Sequence, residues 1–373
     1  MKKRVAVLGA TGSIGKSSLD IISRDRENFE AVLLTARSSR DKLEELSKQF
    51  PSAVRVLADE TDGKEKLLSA ITKIKPDITI NGISGAAGLE PSLAAINSGS
   101  HLALANKETI VMAGDLVIRA AKKKNVNIIP VDSEHSAVFH LLRFFAGQDG
   151  EKKENVSEII LTASGGPFRN FNVKDMEKVT VKDTLSHPTW SMGPKITIDS
   201  ASMANKGLEI IEACVFFNMP SEKIKVVIHP QSIVHSMIRL RNGVIYAQLS
   251  KPDMRHPIHD ALYWPVTTKS TLEPICFDSL TLEFSKPDTE KFPMLTYAWE
   301  AARLGGLYPC AYNAANETAV KAFLEQKIKF LDIPKITEHI MRADWSCGSL
   351  DLETVLKADA DARQRVECGI QKL

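Results

Sequence analysis

The chain has 373 residues, of which 43% are hydrophobic and 25% charged, and its 48 basic residues nearly cancel its 46 acidic ones to leave a net charge of +2. This balance excludes the basic excess of a nucleic-acid binder, and no apolar run reaches the roughly 18 residues of a membrane span. The length suits two or three domains. Five scattered cysteines (Cys214, Cys276, Cys310, Cys347 and Cys368) form no Cys-x-x-Cys pair and read as reduced thiols of a cytoplasm-like compartment.

From the first residue, "MKKRVAVLGATGS" breaks into glycines too early for a signal peptide and reads as a first strand. Predicted strands at 4–8, 29–36, 53–58, 77–82, 101–105 and 126–131 alternate with helices at 14–23, 39–49, 63–73 and 88–98 and one between the last two strands. This alternation predicts a parallel sheet covered on both faces. Past the polar stretch "GQDGEKKENVSE" the pattern changes. Strands are expected at 158–164, 225–230, 232–240 and 244–250, the last two forming a hairpin around Asn242-Gly243. Residues 265–293 hold four prolines and read as a linker, and four helical segments close the chain. The fold class expected is α/β: a Rossmann-like parallel-sheet domain, a central α+β domain and a C-terminal helical bundle, with boundaries at 1–132, 133–264, 265–293 and 294–373.

"VLGATGSIGKSS" places Gly9, Gly12 and Gly15 between the first strand and the first helix. Glycines permit a tight turn and close backbone approach, and a helix N-terminus offers free N–H groups to a pyrophosphate. A glycine-rich turn with no ligand is the alternative. After the second strand there is no acid for a ribose hydroxyl; Arg37, Ser38 and Ser39 stand there instead. A guanidinium beside hydroxyls suits a 2′-phosphate and favours NADPH over NADH, although a solvated surface arginine fits the same pattern.

"IPVDSEHSAVFHLL" sets Asp132 and Glu134 two apart where a strand meets a helix. In an extended segment such a pair points to one side. A hard divalent ion with oxygen ligands would relieve the repulsion. By itself the stretch reads more simply as a solvent-exposed cap of a helix beginning near Ser136. A second stretch, "HPTWSMGPKITIDSASMANKGLEIIEA", shifts the balance. Asp199 or Ser200 is expected to cap a helix over about 202–217, on which Asn205 and Glu209 share a face. Lys206 would sit in the first turn, where a cation opposes the helix dipole and suggests an anionic ligand. Glu209 is then a candidate third metal ligand, and Glu212 is expected to face solvent.

The motifs "GATGSIG", "NKE" (106–108), "VDSEHSA", "TASGGPF" (162–168), the 187–209 stretch, "HPQSIVHSM", "PDMRHPI" and "NAANETAV" occur in order along nearly the whole chain. On them the sequence resembles the 1-deoxy-D-xylulose 5-phosphate reductoisomerase family. The resemblance implies an NADPH-dependent oxidoreductase and isomerase of the methylerythritol phosphate route to isoprenoids, and a bacterial-type cytoplasmic homodimer without membrane or nucleic-acid partners. Its metal (Mg²⁺ or Mn²⁺, with Co²⁺ also admitted) would be held by Asp132, Glu134 and Glu209. The catalytic set it implies is Lys107, Glu134, His187 and Glu209. The phosphorylated sugar would meet Lys107, Ser133, Glu134, Ser164, His187, Ser200, Asn205, Lys206 and Glu209. Thr11, Gly12, Ser13, Ile14, Arg37, Ser38, Asn106, Glu108 and Gly193 would lie near the cofactor. One departure is "ARS" at 36–38, where the family commonly has glycine, a basic residue and asparagine. His135, His140, His229 and His235 are read as structural. Trp190 is expected on a lid that closes over substrate, with burial in the core as the alternative. Two rival readings are a plain NADPH dehydrogenase, which would need no metal, and a non-catalytic NADPH sensor, which would be expected to lose the three acids.

Overall fold

The computed structural model describes residues 1–146, 155–186, 190 and 192–371. In chain order the N-terminal part runs β1 (Lys3–Leu8), α1 (Ser13–Arg24), β2 (Phe29–Ala36), α2 (Arg40–Gln49), β3 (Val54–Leu57), α3 (Gly63–Ile74), β4 (Ile78–Asn81), α4 (Leu89–Asn97), β5 (His101–Leu104), α5 (Lys107–Lys124), β6 (Ile128–Pro130) and α6 (Ser133–Ala146). The six strands form one parallel sheet in the order β3-β2-β1-β4-β5-β6. The inner strands β1, β2, β4 and β5 are largely apolar and buried, as a sheet covered on both faces requires, with Val5, Leu8, Leu33, Leu34, Ile80 and Leu102 wholly buried, whereas the edge strand β3 exposes Val54 and Arg55. The order reverses between β1 and β4. A crevice at the carboxyl ends of such strands is where open α/β sheets bind ligands.

The central part holds β7 (Val156–Ala163), the short helices α7 (Val173–Met176) and α8 (Val181–Thr184), α9 (Pro194–Ala201), α10 (Ala204–Phe216), β8 (Ile224–Ile228), β9 (Val234–Leu240) and β10 (Ile245–Leu249). Its four strands make a mixed sheet in the order β10-β9-β7-β8. β9 and β10 are antiparallel across Asn242-Gly243, as expected, with Gly243 at φ +87°. After α11 (Arg255–Tyr263) come α12 (Met294–Leu304), α13 (Tyr308–Leu324), α14 (Asp332–Met341) and α15 (Leu352–Ile370).

Packing groups residues 1–109, 115–136 and 253–273 into one unit and 110–114, 137–252 and 274–373 into another. The chain therefore returns to the parallel-sheet unit late. Residues 253–264 were expected with the catalytic segment and 265–273 with the linker. Instead α11 packs on α1, β5 and β6. Arg255 is bound to Asp253 and reaches Asp20 of α1 at 3.4 Å, and Tyr263 hydrogen-bonds Asp25. In the second unit one apolar core joins β7, β8 and β9 to α10, α13 and α14 through residues such as Ile159, Ile210, Ile238, Val320 and Ile333. The C-terminal helices thus share a core with the mixed sheet.

The helix expected over about 202–217 is α10, and a separate helix, α9, precedes it. Met203 adopts a left-handed conformation, φ 62°, between α9 and α10. Asp199 and Ser200 lie inside α9 and cap nothing. Gly207 explains itself by packing: a Cβ there would come 2.3 Å from Tyr312 Oη of α13 and 3.0 Å from Ala298 Cβ of α12. Only glycine lets α10 approach so closely, and Tyr312 is fully buried beside it with its hydroxyl donating to Met294 O.

Candidate active site

In the first unit the glycine turn follows β1 directly. Gly9 has φ +78°, and a Cβ on it would come 2.8 Å from Gly82 O, at the end of β4. The turn therefore lies at the reversal of strand order. Gly15 serves packing, since a Cβ there would meet Ala10 Cα and Gly9 O at 2.4 Å. Gly12 is the N-cap of α1, exposed like Ser13, with Thr11 and Ile14 partly buried. No acid occupies the first turn of α1, so its N–H groups face no competing charge. Arg37 and Ser38 are exposed at the end of β2, and Arg37 Nε is 3.2 Å from Asp59 Oδ1. An acid is thus present after all, reaching in from just past β3, where the β2 sequence does not reveal it.

Asn106 caps α5. Its Oδ1 accepts from Thr109 N at 2.9 Å and its Nδ2 faces Ile83 O at 2.7 Å, Gly85 O at 2.8 Å and Glu108 Oε2 at 3.0 Å. The side chain ties the loop after β4 to the start of α5, and Glu108 is buried next to it. Lys107 begins α5. Its side chain is 4% exposed and Nζ lies 2.6 Å from Asp132 Oδ2. Asp132 follows β6 and its carbonyl accepts from Ser136 N at 2.8 Å. Helix α6 therefore starts at Ser133 and not near Ser136, and the extended geometry expected for Asp132 and Glu134 does not occur. Glu134 sits in the first turn, its Oε2 accepting from Ser133 Oγ at 2.5 Å. His135, read from sequence as structural, is fully buried with Nδ1 3.6 Å from Asp132 Oδ1. The i,i+3 spacing of Asp132 and His135 at a helix start was the available signal.

In the second unit Ser164 follows β7, its Oγ accepting from Gly166 N at 3.3 Å. Gly165 and Gly166 both have positive φ, and a Cβ on Gly166 would come 2.6 Å from Ser200 O. That close approach sets the Ser164 turn against the end of α9, where Ser200 is partly buried. On α10 Asn205 Nδ2 donates to Glu209 Oε1 at 2.6 Å, and Lys206 pairs with Glu209 Oε2. Lys206 is 3% exposed and Glu209 wholly buried. A buried carboxylate is tolerated only where cations and hydrogen bonds compensate it, which these neighbours do. Glu212, expected to face solvent, is 1% exposed, because this face of α10 is covered as well. Gly193 is the exposed N-cap of α9, and Trp190 is half-buried. His187 lies outside the described residues.

Two further histidines read as structural, His229 and His235, make local hydrogen bonds. His229 Nε2 accepts from Ile233 N and Val234 N, both at 3.1 Å, and His235 Nε2 is 2.8 Å from Ser250 Oγ. Among the described residues no helix is long and apolar enough to cross a membrane.

A glycine turn at the reversal of a parallel sheet, with carboxylates held to buried lysines, defines a nucleotide-dependent enzyme of the oxidoreductase class. Three family models match: 1-deoxy-D-xylulose 5-phosphate reductoisomerase over residues 5–65 and 56–114, its C-terminal domain over 128–217, and the DXP reductoisomerase C-terminal domain over 249–365. The 1-deoxy-D-xylulose 5-phosphate reductoisomerase of Treponema denticola is 47% identical over 371 residues, covering 97% of this chain and 96% of that protein. That of Pelodictyon phaeoclathratiforme is 46% identical, covering 97% and 98%. The structure of the Zymomonas mobilis enzyme in complex with NADPH superposes with a TM-score of 0.89 at 40% identity over all of both chains. A DOX-P reductoisomerase in complex with NADPH, fosmidomycin and magnesium gives 0.92 at 38% identity, covering 99% and 98%. The chain belongs to the 1-deoxy-D-xylulose 5-phosphate reductoisomerase family.

Proposed function

We propose that this protein converts 1-deoxy-D-xylulose 5-phosphate into 2-C-methyl-D-erythritol 4-phosphate, using NADPH and a divalent metal ion, in the methylerythritol phosphate route to isoprenoid precursors. The observation that carries the reading is family membership over the whole chain with the charged set intact, partly buried Asp132 and wholly buried Glu209 each paired with a buried lysine. Relatives solved with NADPH, fosmidomycin and magnesium support it. In the first unit Gly12, Ser13 and the N-terminus of α1 bind the pyrophosphate, with Thr11 and Ile14 beside it. Arg37 and Ser38 meet the 2′-phosphate, Arg37 exchanging Asp59 for it. Asn106 and Glu108 shape the floor of the nicotinamide side, and Gly193 lines the cofactor from the loop before α9.

The donor set fits a hard divalent cation, because carboxylate oxygens are its preferred ligands. Asp132, Glu134 and Glu209 would hold it. When bound, the ion supplies Lewis-acid stabilisation of charge that builds on substrate oxygens, and NADPH supplies the hydride. Lys107 and Lys206 now neutralise Asp132 and Glu209. On substrate, Lys107 would act near the reacting oxygens and Lys206, with Asn205, Ser164 and Ser200, on phosphate and hydroxyls. Ser133 and His187 complete the substrate contacts, and Trp190 covers the bound sugar to exclude water. The protein works as a cytoplasmic homodimer. The homodimer is supported by the edge strand β10, where Ile245 and Tyr246, with Val244 just before them, are exposed and apolar, a surface that a second copy would cover.

The test is product identification from deoxyxylulose phosphate with NADPH and Mg²⁺. A branched tetrol phosphate is expected, formed only with metal. Turnover unaffected by a chelator would instead favour a plain dehydrogenase.

A further inference from the structure

The second unit carries a chain of buried and partly buried polar side chains that no proposed contact uses. Asp199, in the last turn of α9, is 1% exposed. Its Oδ1 accepts from Asn316 Nδ2 of α13 at 2.7 Å, and Lys195 Nζ lies 2.9 Å from its Oδ2. Asn316 is wholly buried. The next residue, Glu317, receives Arg363 Nη2 of α15 at 2.7 Å, and Arg363 also holds Asp359 through Nε and Nη2, both at 2.8 Å. Desolvating charged groups opposes folding, and apolar side chains of like volume would join the helices as well or better. The chain therefore serves placement more than stability.

What it places is the residue after Asp199. Ser200 O packs against Gly166, and Gly166 N donates to Ser164 Oγ. A shift of Asp199 moves Ser200 relative to Ser164. We propose that Asn316, acting through Asp199, is a positioning residue for Ser200 and so sets affinity for the phosphorylated substrate. The inference rests on the reading above that Ser164 and Ser200 contact substrate.

The experiment measures steady-state kinetics of the full-length enzyme with deoxyxylulose phosphate, NADPH and Mg²⁺. Asn316→Ala should raise KM for the sugar phosphate about tenfold or more, leave kcat within about threefold, and leave KM for NADPH unchanged, the signature of lost uniform binding. The exchange Asp199→Asn with Asn316→Asp keeps both the hydrogen bond and the net charge, and should return KM to within about threefold of the parent. A folded Asn316→Ala enzyme with unaltered KM overturns the proposal. So does an exchange variant that fails to fold, or that folds and keeps a raised KM; this arm decides even where the single variant does not fold. A parent enzyme that never turns over deoxyxylulose phosphate would instead sink the functional reading on which the proposal stands.

Discussion

The two units hold their charged residues by different means. In the parallel-sheet unit the key positions sit at strand ends: Gly9 and Gly12 after β1, Lys107 after β5, Asp132 after β6. Chain direction alone puts them along one edge of the sheet. In the mixed-sheet unit they lie on a broken helix pair, α9 and α10, whose charges are buried among neighbouring helices. There, placement depends on what covers each face. The first arrangement is built by topology and the second by packing, so the two should fail differently when mutated.

The largest effect is expected from the carboxylates, one in each unit. Asp132→Asn and Glu209→Gln should each lower activity by at least 100-fold, because changes merely behind a metal ligand already cost about 10- to 100-fold. NADPH binding should survive in both, and titration with Mn²⁺ should show weakened metal affinity. Unchanged Mn²⁺ affinity in the Glu209 variant would pass its role to the equally buried Glu212.

Arg37→Ala probes the strand-end arrangement. A charge-assisted contact is worth roughly 1.5–3 kcal/mol, so NADPH affinity should fall about 10- to 150-fold. NADH affinity should hardly change, because NADH lacks the 2′-phosphate that exposed Arg37 would meet in place of Asp59. Equal losses for both dinucleotides would remove the 2′-phosphate role.

Gly207→Ala probes the packed arrangement. Overpacking costs about 1–3 kcal/mol, while alanine gains about 1 kcal/mol over glycine in a helix. With Tyr312 Oη in the way, the clash should win by up to about 2 kcal/mol in urea unfolding. Tyr312→Phe in the same background removes the obstructing hydroxyl and should recover part of the loss. No recovery would mean that Ala298 or the backbone of Met294 is the true obstacle.

The smallest effect concerns the strap α11. The Arg255 guanidinium bonded to Asp253 holds that carboxyl below its usual range. A depressed folded-state pKa contributes stability above the unfolded value of about 4, lost as pH falls through the folded value. Arg255→Met should therefore lower Tm by a degree or so near pH 6, and the difference should vanish under strongly acidic conditions. A difference that persists there would assign the effect of Arg255 to packing on α1.

Sequence patterning alone determined the strands and helices of the parallel sheet, the hairpin at Asn242-Gly243, and the glycine turn that opens α1. Each rests on local rules: a period of two or 3.6, a glycine where φ is positive, a helix that starts where a strand ends. The residue types of the candidate site were legible for the same reason, since Asp132, Lys206 and Glu209 stand in short motifs of unusual polarity. Tertiary structure decided the rest. It set α9 ahead of α10, with left-handed Met203 between them, and packed α10 on α12. It brought α11 back to α1 across more than two hundred residues and set Asp59 beside Arg37. It also buried Glu212 and joined Asp199 to Asn316, because burial of a polar side chain depends on which distant helix covers it, and no local pattern in a single chain carries that information.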